Sequence, residues 1–98
     1  DLVASFQRAV VEVLVEHTIE VAKDYNIKNV AMAGGVASNT ALRSLMEEKC
    51  SEEGLKLHFP SPIYCTDNAA MIGVAAYFEY LNENFKDLTL NAVPNLEL

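Results

Sequence analysis

Apolar and polar positions alternate with helical spacing in three segments of this chain, and two short apolar runs separate these segments. Residues 1–25, 39–53 and 68–84 show the three- and four-residue spacing of amphipathic helices. In the first helix the predicted buried stripe is Phe6, Val10, Val13, Leu14, His17 and Val21. Residues 30–33 and 55–59 are short apolar runs, which are typical of strands. The order helix, strand, helix, strand, helix predicts an α/β layer with parallel strands and crossover helices.

Local signals mark where the elements end. Asn26 tolerates the left-handed backbone found after a helix, and Gly54 suits the same position after the second helix. Ser38 or Asn39 is expected to cap the start of the second helix, because their side-chain oxygens accept backbone N–H bonds.

Burial is predicted from the same pattern. The first strand is uniformly apolar, so we expect it to be covered on both faces. Apolar residues from Ala69 to Phe78 occupy nearly the whole circumference of the third helix, so its first half is expected to be deeply buried.

The amino-acid composition limits the classes of protein to which this chain can belong. The 98 residues, 51% of them hydrophobic, suit one small domain. The two cysteines fit neither a disulfide framework nor a CxxC motif, which favours a reduced, cytoplasmic protein. The longest apolar run is too short to span a membrane. With 14 acidic against 7 basic side chains, the chain is poorly suited to hold a polyphosphate backbone by itself.

The order of the predicted elements indicates that this chain is part of a larger protein. The chain begins at Asp1 inside a helical pattern, and two strands do not make a stable sheet alone. We expect residues 1–84 to form the folded part and residues 85–98 an irregular tail. The further strands are expected from another part of the protein or from a second copy.

The segment from Asn29 to Asn39 carries the first candidate site. We expect a buried strand that runs into Gly34 and Gly35 and then opens a helix, an arrangement that lets backbone approach an anionic ligand. The alternative is a tight turn that needs positive φ at glycine. Asn39 is a candidate for ligand contact and also for the helix cap, and one role does not exclude the other.

The loop Cys65-Thr66-Asp67-Asn68 carries the second candidate site. Asp67 is a candidate metal ligand, since a carboxylate supplies the hard oxygen that iron or zinc accepts, and it is equally a candidate cap for the third helix. Asn68 is expected either to orient Asp67 or to be that cap. Cys65 is expected to be a small buried residue, because no base stands near it in the sequence.

These stretches together resemble one known family. The matching segments are Ala4–Gln7, Ala33–Asn39, Leu42-Arg43, Pro60 and Cys65–Ile72, and the resemblance covers residues 1 to about 82. The chain is identified on these motifs as a C-terminal fragment of the TsaD family of tRNA threonylcarbamoyladenosine-modification proteins, historically called the glycoprotease or O-sialoglycoprotein endopeptidase family.

The resemblance implies a fold, a reaction and a set of ligands. The fold is the C-terminal lobe of an actin- and hexokinase-like ATPase. The reaction passes a threonylcarbamoyl group from its adenylate to an adenosine beside the tRNA anticodon, with partner subunits. The resemblance assigns Gly34, Gly35 and Asn39 to the nucleotide (threonylcarbamoyl-adenylate or ATP). It assigns Asp67 to one iron or zinc ion per subunit, beside two histidines of an HxxxH motif.

One departure from the family pattern leaves other functions open. His17 and His58 are the only histidines and form no HxxxH, so we expect the fragment alone to be inactive. A metal-dependent glycoprotease and a non-catalytic module that self-associates remain alternatives. His17 is expected to pack in the core and His58 to be structural. Arg43 is expected to pair with Glu47 four positions on or to reach a phosphate.

Overall fold

The computed structural model describes residues 1–97, an α/β arrangement with three helices and two strands in the predicted order. The elements are α1 (Leu2–Asp24), β1 (Asn29–Ala31), α2 (Thr40–Glu52), β2 (Lys56–His58) and α3 (Ala69–Leu81). Residues 82–97 contain no helix or strand.

The two strands pair in parallel, and α2 makes the connection between them, as the pattern predicted. Val30 of β1 lies opposite Leu57 of β2 in the register. The carboxyl ends of parallel strands meet at the same edge of a sheet, so the segments after them start close together. We call these segments the glycine loop (residues 32–39) and the carboxylate loop (residues 59–67). Each loop contains a short 3₁₀ turn.

The predicted helix ends are confirmed. Asn26 and Gly54 both have left-handed backbone, with φ of 54° and 67°. The side-chain oxygens of Asn39 and Asn68 each accept a hydrogen bond of 3.0 Å from the N–H three residues further on. Asn68 is therefore the cap of α3, and Asp67 is not.

The chain divides into two compact units, residues 1–67 and the residues from 68 onward. The core belongs to the first unit, where α1 packs against α2 and α2 against β2. Its buried members are Val11, Val15, Ile19, Ala22, Val30, Met32, Ala37, Leu42, Met46, Cys50 and Cys65.

The buried face of α1 differs from the predicted one. Val11, Val15 and Ile19 are buried, whereas Phe6 of the predicted stripe is 71% exposed. The expectation that His17 packs in the core is also wrong, since His17 is exposed. α1 carries two apolar stripes, and the stripe that α2 covers is the one that becomes buried.

Two further burial predictions are wrong. Only Val30 of β1 is buried, because β1 pairs with a single neighbour and its other residues stay exposed. No residue of α3 is buried. The unit that contains α3 has no second helix or strand among its described residues, so it offers no surface on which an all-apolar helix can be buried.

Across residues 1–97, no helix combines the length and apolar character that a membrane crossing needs.

Candidate functional site

The glycine loop begins with a backbone conformation that requires glycine. Gly34 has φ of 87° and ψ of 172°, a region almost closed to residues with a Cβ. A 3₁₀ turn, Gly35–Ser38, follows, and α2 starts only at Thr40. The glycine pair therefore does not open α2 directly: Gly35 begins a 3₁₀ turn that ends at Ser38, two residues before α2, and Ser38 Oγ donates to the carbonyl of Gly35 at 2.6 Å.

Substituting the two glycines separately is expected to give different results. Gly34→Ala places a Cβ on strained backbone and should cost about 1–3 kcal/mol in the free energy of unfolding. Gly35→Ala should change that free energy by no more than about 0.5 kcal/mol, since no positive φ is needed there and its Cβ would meet only ordinary contacts. Urea unfolding of the two variants in the full-length protein measures this, and equal losses would contradict the assignment of strain to Gly34.

Asn39 joins the glycine loop to both neighbouring helices. Its Oδ1 accepts from the N–H of Leu42, and its Nδ2 donates to Oε1 of Gln7 on α1 at 3.3 Å. An amide nitrogen carries two hydrogens, so Nδ2 keeps one donor for a further partner. The half-buried side chain is thereby fixed in direction while part of its polar edge stays available.

The carboxylate loop lies against the glycine loop. A Cβ built on Gly35 would stand 3.8 Å from Cγ2 of Thr66, which is van der Waals contact. Asp67 follows directly, is exposed, and forms no ion pair within residues 1–97. The structure thus brings Thr66, the residue just before Asp67, close to Gly35 although the two are 31 positions apart in the sequence (66 − 35).

Arg43 links the two loops, and this role was missed at the level of sequence. Its Nε donates to the carbonyl of Ala37 at 2.5 Å, and its Nη2 donates to the carbonyl of Pro60 at 2.8 Å. The expected pair with Glu47 is wrong: no ion pair of the described residues involves Arg43. A usable signal existed, because side chains in the first turn of a helix lean toward its N-terminus and so toward the preceding loop.

The cysteine and histidine side chains have structural surroundings. Cys65 is buried, as predicted, with Sγ accepting from Arg43 at 3.2 Å. Burial raises the pKa of the Cys50 thiol in the core. His58 on β2 has its Nε2 3.1 Å from Oδ1 of Asn29 on β1, a contact that supports the strand pair. Within residues 1–97, no three His, Cys, Asp or Glu side chains gather as a metal cluster would require.

Grooves of different sizes lie along α1. The groove beside the glycine loop has a volume of about 290 Å³, is mostly apolar, and is lined by Phe6, Gln7, Val36 and Asn39 among others. A larger groove of about 500 Å³ lies between α1 and α2 and is lined by several acidic side chains. No residue of either loop lines the larger groove, so the smaller one is the groove relevant to the candidate site.

Fold and loops together define a class of protein. The chain is an α/β protein in which two loops that follow parallel strands lie side by side, at the sheet edge where such proteins bind their ligands.

Comparison with known proteins identifies the family. The chain belongs to the TsaD family, tRNA N6-adenosine threonylcarbamoyltransferase, whose family model matches residues 1–74. Over all 98 residues it is 56% identical to the tRNA N6-adenosine threonylcarbamoyltransferase of Clostridium perfringens (strain ATCC 13124). It is 53% identical to that of Clostridium kluyveri (strain ATCC 8527) and 50% identical to that of Clostridium botulinum (strain Kyoto). The chain spans about 29% of the length of these relatives. The family resemblance of the sequence is confirmed.

Proposed function

We propose that this chain is the C-terminal portion of a tRNA N6-adenosine threonylcarbamoyltransferase with an actin- and hexokinase-like fold. The full-length protein transfers a threonylcarbamoyl group from its adenylate to the exocyclic amine of an adenosine next to the anticodon. The identity of 50–56% to relatives of that name, over the whole chain, supports this assignment. Because the chain spans about 29% of those relatives, the activity belongs to the full-length protein.

The observation that carries the proposal is the contact between the two loops. Thr66 stands beside Gly35, so a ligand lying on the glycine loop would have the carboxylate loop next to it. A reaction that needs a nucleotide and a cation in one site requires this juxtaposition.

The glycine loop is the part that would receive the nucleotide. Gly34 and Gly35 have no side chains to keep an adenylate away from the backbone. Asn39 would contact the ligand through the free N–H of its amide. The apolar groove beside Asn39, which Phe6 and Val36 help to line, supports binding of the flat adenine base.

Asp67 is the residue that would hold the metal ion, iron or zinc. It fits the role because its carboxylate is exposed, caps no helix and is not neutralised by a cation of residues 1–97. One carboxylate does not complete a site, so the histidine ligands would come from another part of the longer protein. When bound, the ion supplies a Lewis acid that polarises the threonylcarbamoyl carbonyl. The task of this chain is to place one ligand beside the glycine loop.

The tRNA would be held mainly outside this chain. The net charge of −7 repels a polyphosphate backbone, which proteins bind through lysine and arginine. We therefore propose that other parts of the full-length protein and its partner subunits contact the tRNA near the anticodon.

A direct assay tests the function. The full-length protein and its partner subunits are incubated with threonylcarbamoyl-adenylate and unmodified tRNA, and the nucleosides are analysed by mass spectrometry. The proposal predicts threonylcarbamoyl modification of the adenosine beside the anticodon. Absence of the modified nucleoside with active partner subunits would refute it. Cleavage of a glycoprotein substrate instead would favour the older family activity.

A second candidate function is favoured by the exposed apolar surface. On α1 the side chain of Phe6 is 71% exposed, and on α3 that of Ile72 is 72% exposed. Apolar faces of this kind mark interaction surfaces. As an interaction module, the 98-residue chain should self-associate in sedimentation velocity, and a purely monomeric profile would exclude this function.

A further inference from the structure

Arg43 contacts both loops of the proposed site through one side chain. It lies half-buried in the first turn of α2. Its Nε donates to the carbonyl of Ala37 in the glycine loop. Its Nη2 donates to the carbonyl of Pro60 and to Sγ of Cys65, both in the carboxylate loop. These three bonds join segments that are 6, 17 and 22 positions from Arg43 in the sequence.

The surroundings of Arg43 require a guanidinium group. Its Cζ lies over the Phe59 ring, 4.4 Å from the centroid, which is within cation–π distance. The ion pairs of the described residues are formed by Arg8, Lys23 and Lys49, and none includes Arg43. A lysine ammonium has neither the planar fork nor the reach to serve acceptors in two loops at once.

These contacts determine where Asp67 stands. Cys65 is bonded to Arg43, the Thr66 side chain lies near Gly35, and Asp67 is the next residue along the chain. If the bonds from Arg43 are lost, the carboxylate loop loses its polar attachment to the glycine loop.

We infer that Arg43 is a positioning residue of the transferase: it holds the carboxylate loop beside the glycine loop and acts through Asp67 without contacting the substrate. This inference rests on the proposed function. Groups that orient metal ligands affect metal affinity or activity about 10–100-fold when they are removed. Arg43 is expected to fall in that range.

The test compares Arg43→Lys and Arg43→Gln in the full-length protein with the matched control Arg8→Gln. Arg8 is the other arginine of the chain and forms only an exposed pair with Glu12. Three quantities are measured: Zn²⁺ affinity by chelator competition, hydrogen exchange of residues 59–67, and kcat and KM for the adenylate donor. Circular dichroism confirms that each variant is folded at the assay temperature.

The inference predicts a specific combination of results. Both Arg43 variants should bind Zn²⁺ about 10–100-fold more weakly and lose kcat to a similar extent, with KM changed less than about twofold. Hydrogen exchange should rise in residues 59–67 and stay unchanged in α1. Added guanidinium ion at millimolar concentration should restore part of the Zn²⁺ affinity of Arg43→Gln, and methylammonium should not.

Three other outcomes would overturn the inference. A raised KM with unchanged kcat would mean that Arg43 contacts the donor directly. A lower melting temperature with unchanged Zn²⁺ affinity would mean that its role is structural only. Full activity in Arg43→Lys would mean that the planar fork is not needed. An Asp67→Ala variant measured in parallel distinguishes failure of the Arg43 inference from failure of the proposed function. If Asp67→Ala leaves the Zn²⁺ affinity unchanged, the assignment of Asp67 as a metal ligand fails. If only the Arg43 variants leave it unchanged, the inference about Arg43 alone fails.

Discussion

Replacing Asp67 with Ala in the full-length protein is expected to lower threonylcarbamoyl transfer by more than about 100-fold, because loss of the proposed metal ligand should exceed the effect of losing an outer-shell partner. The carboxylate is exposed and caps no helix. The free energy of unfolding should therefore change by no more than about 0.5 kcal/mol. The measurement is product formation per minute at saturating donor, together with urea unfolding of the same preparation.

Asp24→Ala is the matched control for this prediction. Asp24 is another exposed aspartate of the first unit, at the end of α1 and outside both loops. It should leave transfer unchanged. Transfer at the wild-type rate in Asp67→Ala would remove the metal role from this residue. An equal loss in both variants would point to a general effect of charge.

The largest loss of stability is expected for Met46→Ala. Met46 is 3% exposed in the middle of α2, between Leu42 and Cys50 on the face that is buried in the core. Removing its side chain leaves a cavity in a small core and should cost about 2–5 kcal/mol in the free energy of unfolding.

Two controls make the Met46 result specific. Met46→Leu keeps most of the volume and should cost less than about 1.5 kcal/mol. Glu47→Ala changes the next, exposed position and should stay within about 0.5 kcal/mol of wild type. Urea unfolding of the full-length protein measures all three, and a loss below 1 kcal/mol for Met46→Ala would mean that the core assigned to α2 is wrong.

Features set by nearby residues were predictable from the sequence. The caps at Asn39 and Asn68 and the left-handed residues Asn26 and Gly54 depend on chemistry within three or four positions, and the structure has all four. The parallel strand pair was predictable for a related reason: a single helix between two short apolar runs leaves a crossover as the simplest connection.

Features set by distant contacts were not predictable in the same way. α1 has two apolar stripes, and only the packing of α2 decides that the stripe with Val15 is buried and the one with Phe6 is exposed. The bonds of Arg43 depend on where Pro60 and Cys65 lie in space, which no local pattern contains. Sequence spacing therefore favoured Glu47, the nearest acidic side chain at helical distance.

The same distinction applies to the candidate site, of which one part was predictable from the sequence and another part was not. Its residues were found because the motifs around Gly34 and Asp67 match a family, and the chain does belong to that family. The closeness of the two loops follows from the parallel strands, since both loops leave the same edge of the sheet. That the Thr66 side chain lies next to Gly35 needed the structure.

The metal content of the purified protein tests whether this chain places one metal ligand beside the glycine loop. Full-length wild-type protein, Asp67→Ala and Asp24→Ala are purified side by side, and iron and zinc are counted by mass spectrometry after dialysis against a weak chelator. Wild type and Asp24→Ala are expected to retain one ion per subunit, and Asp67→Ala is expected to retain almost none. Equal metal content in all three proteins would contradict this placement.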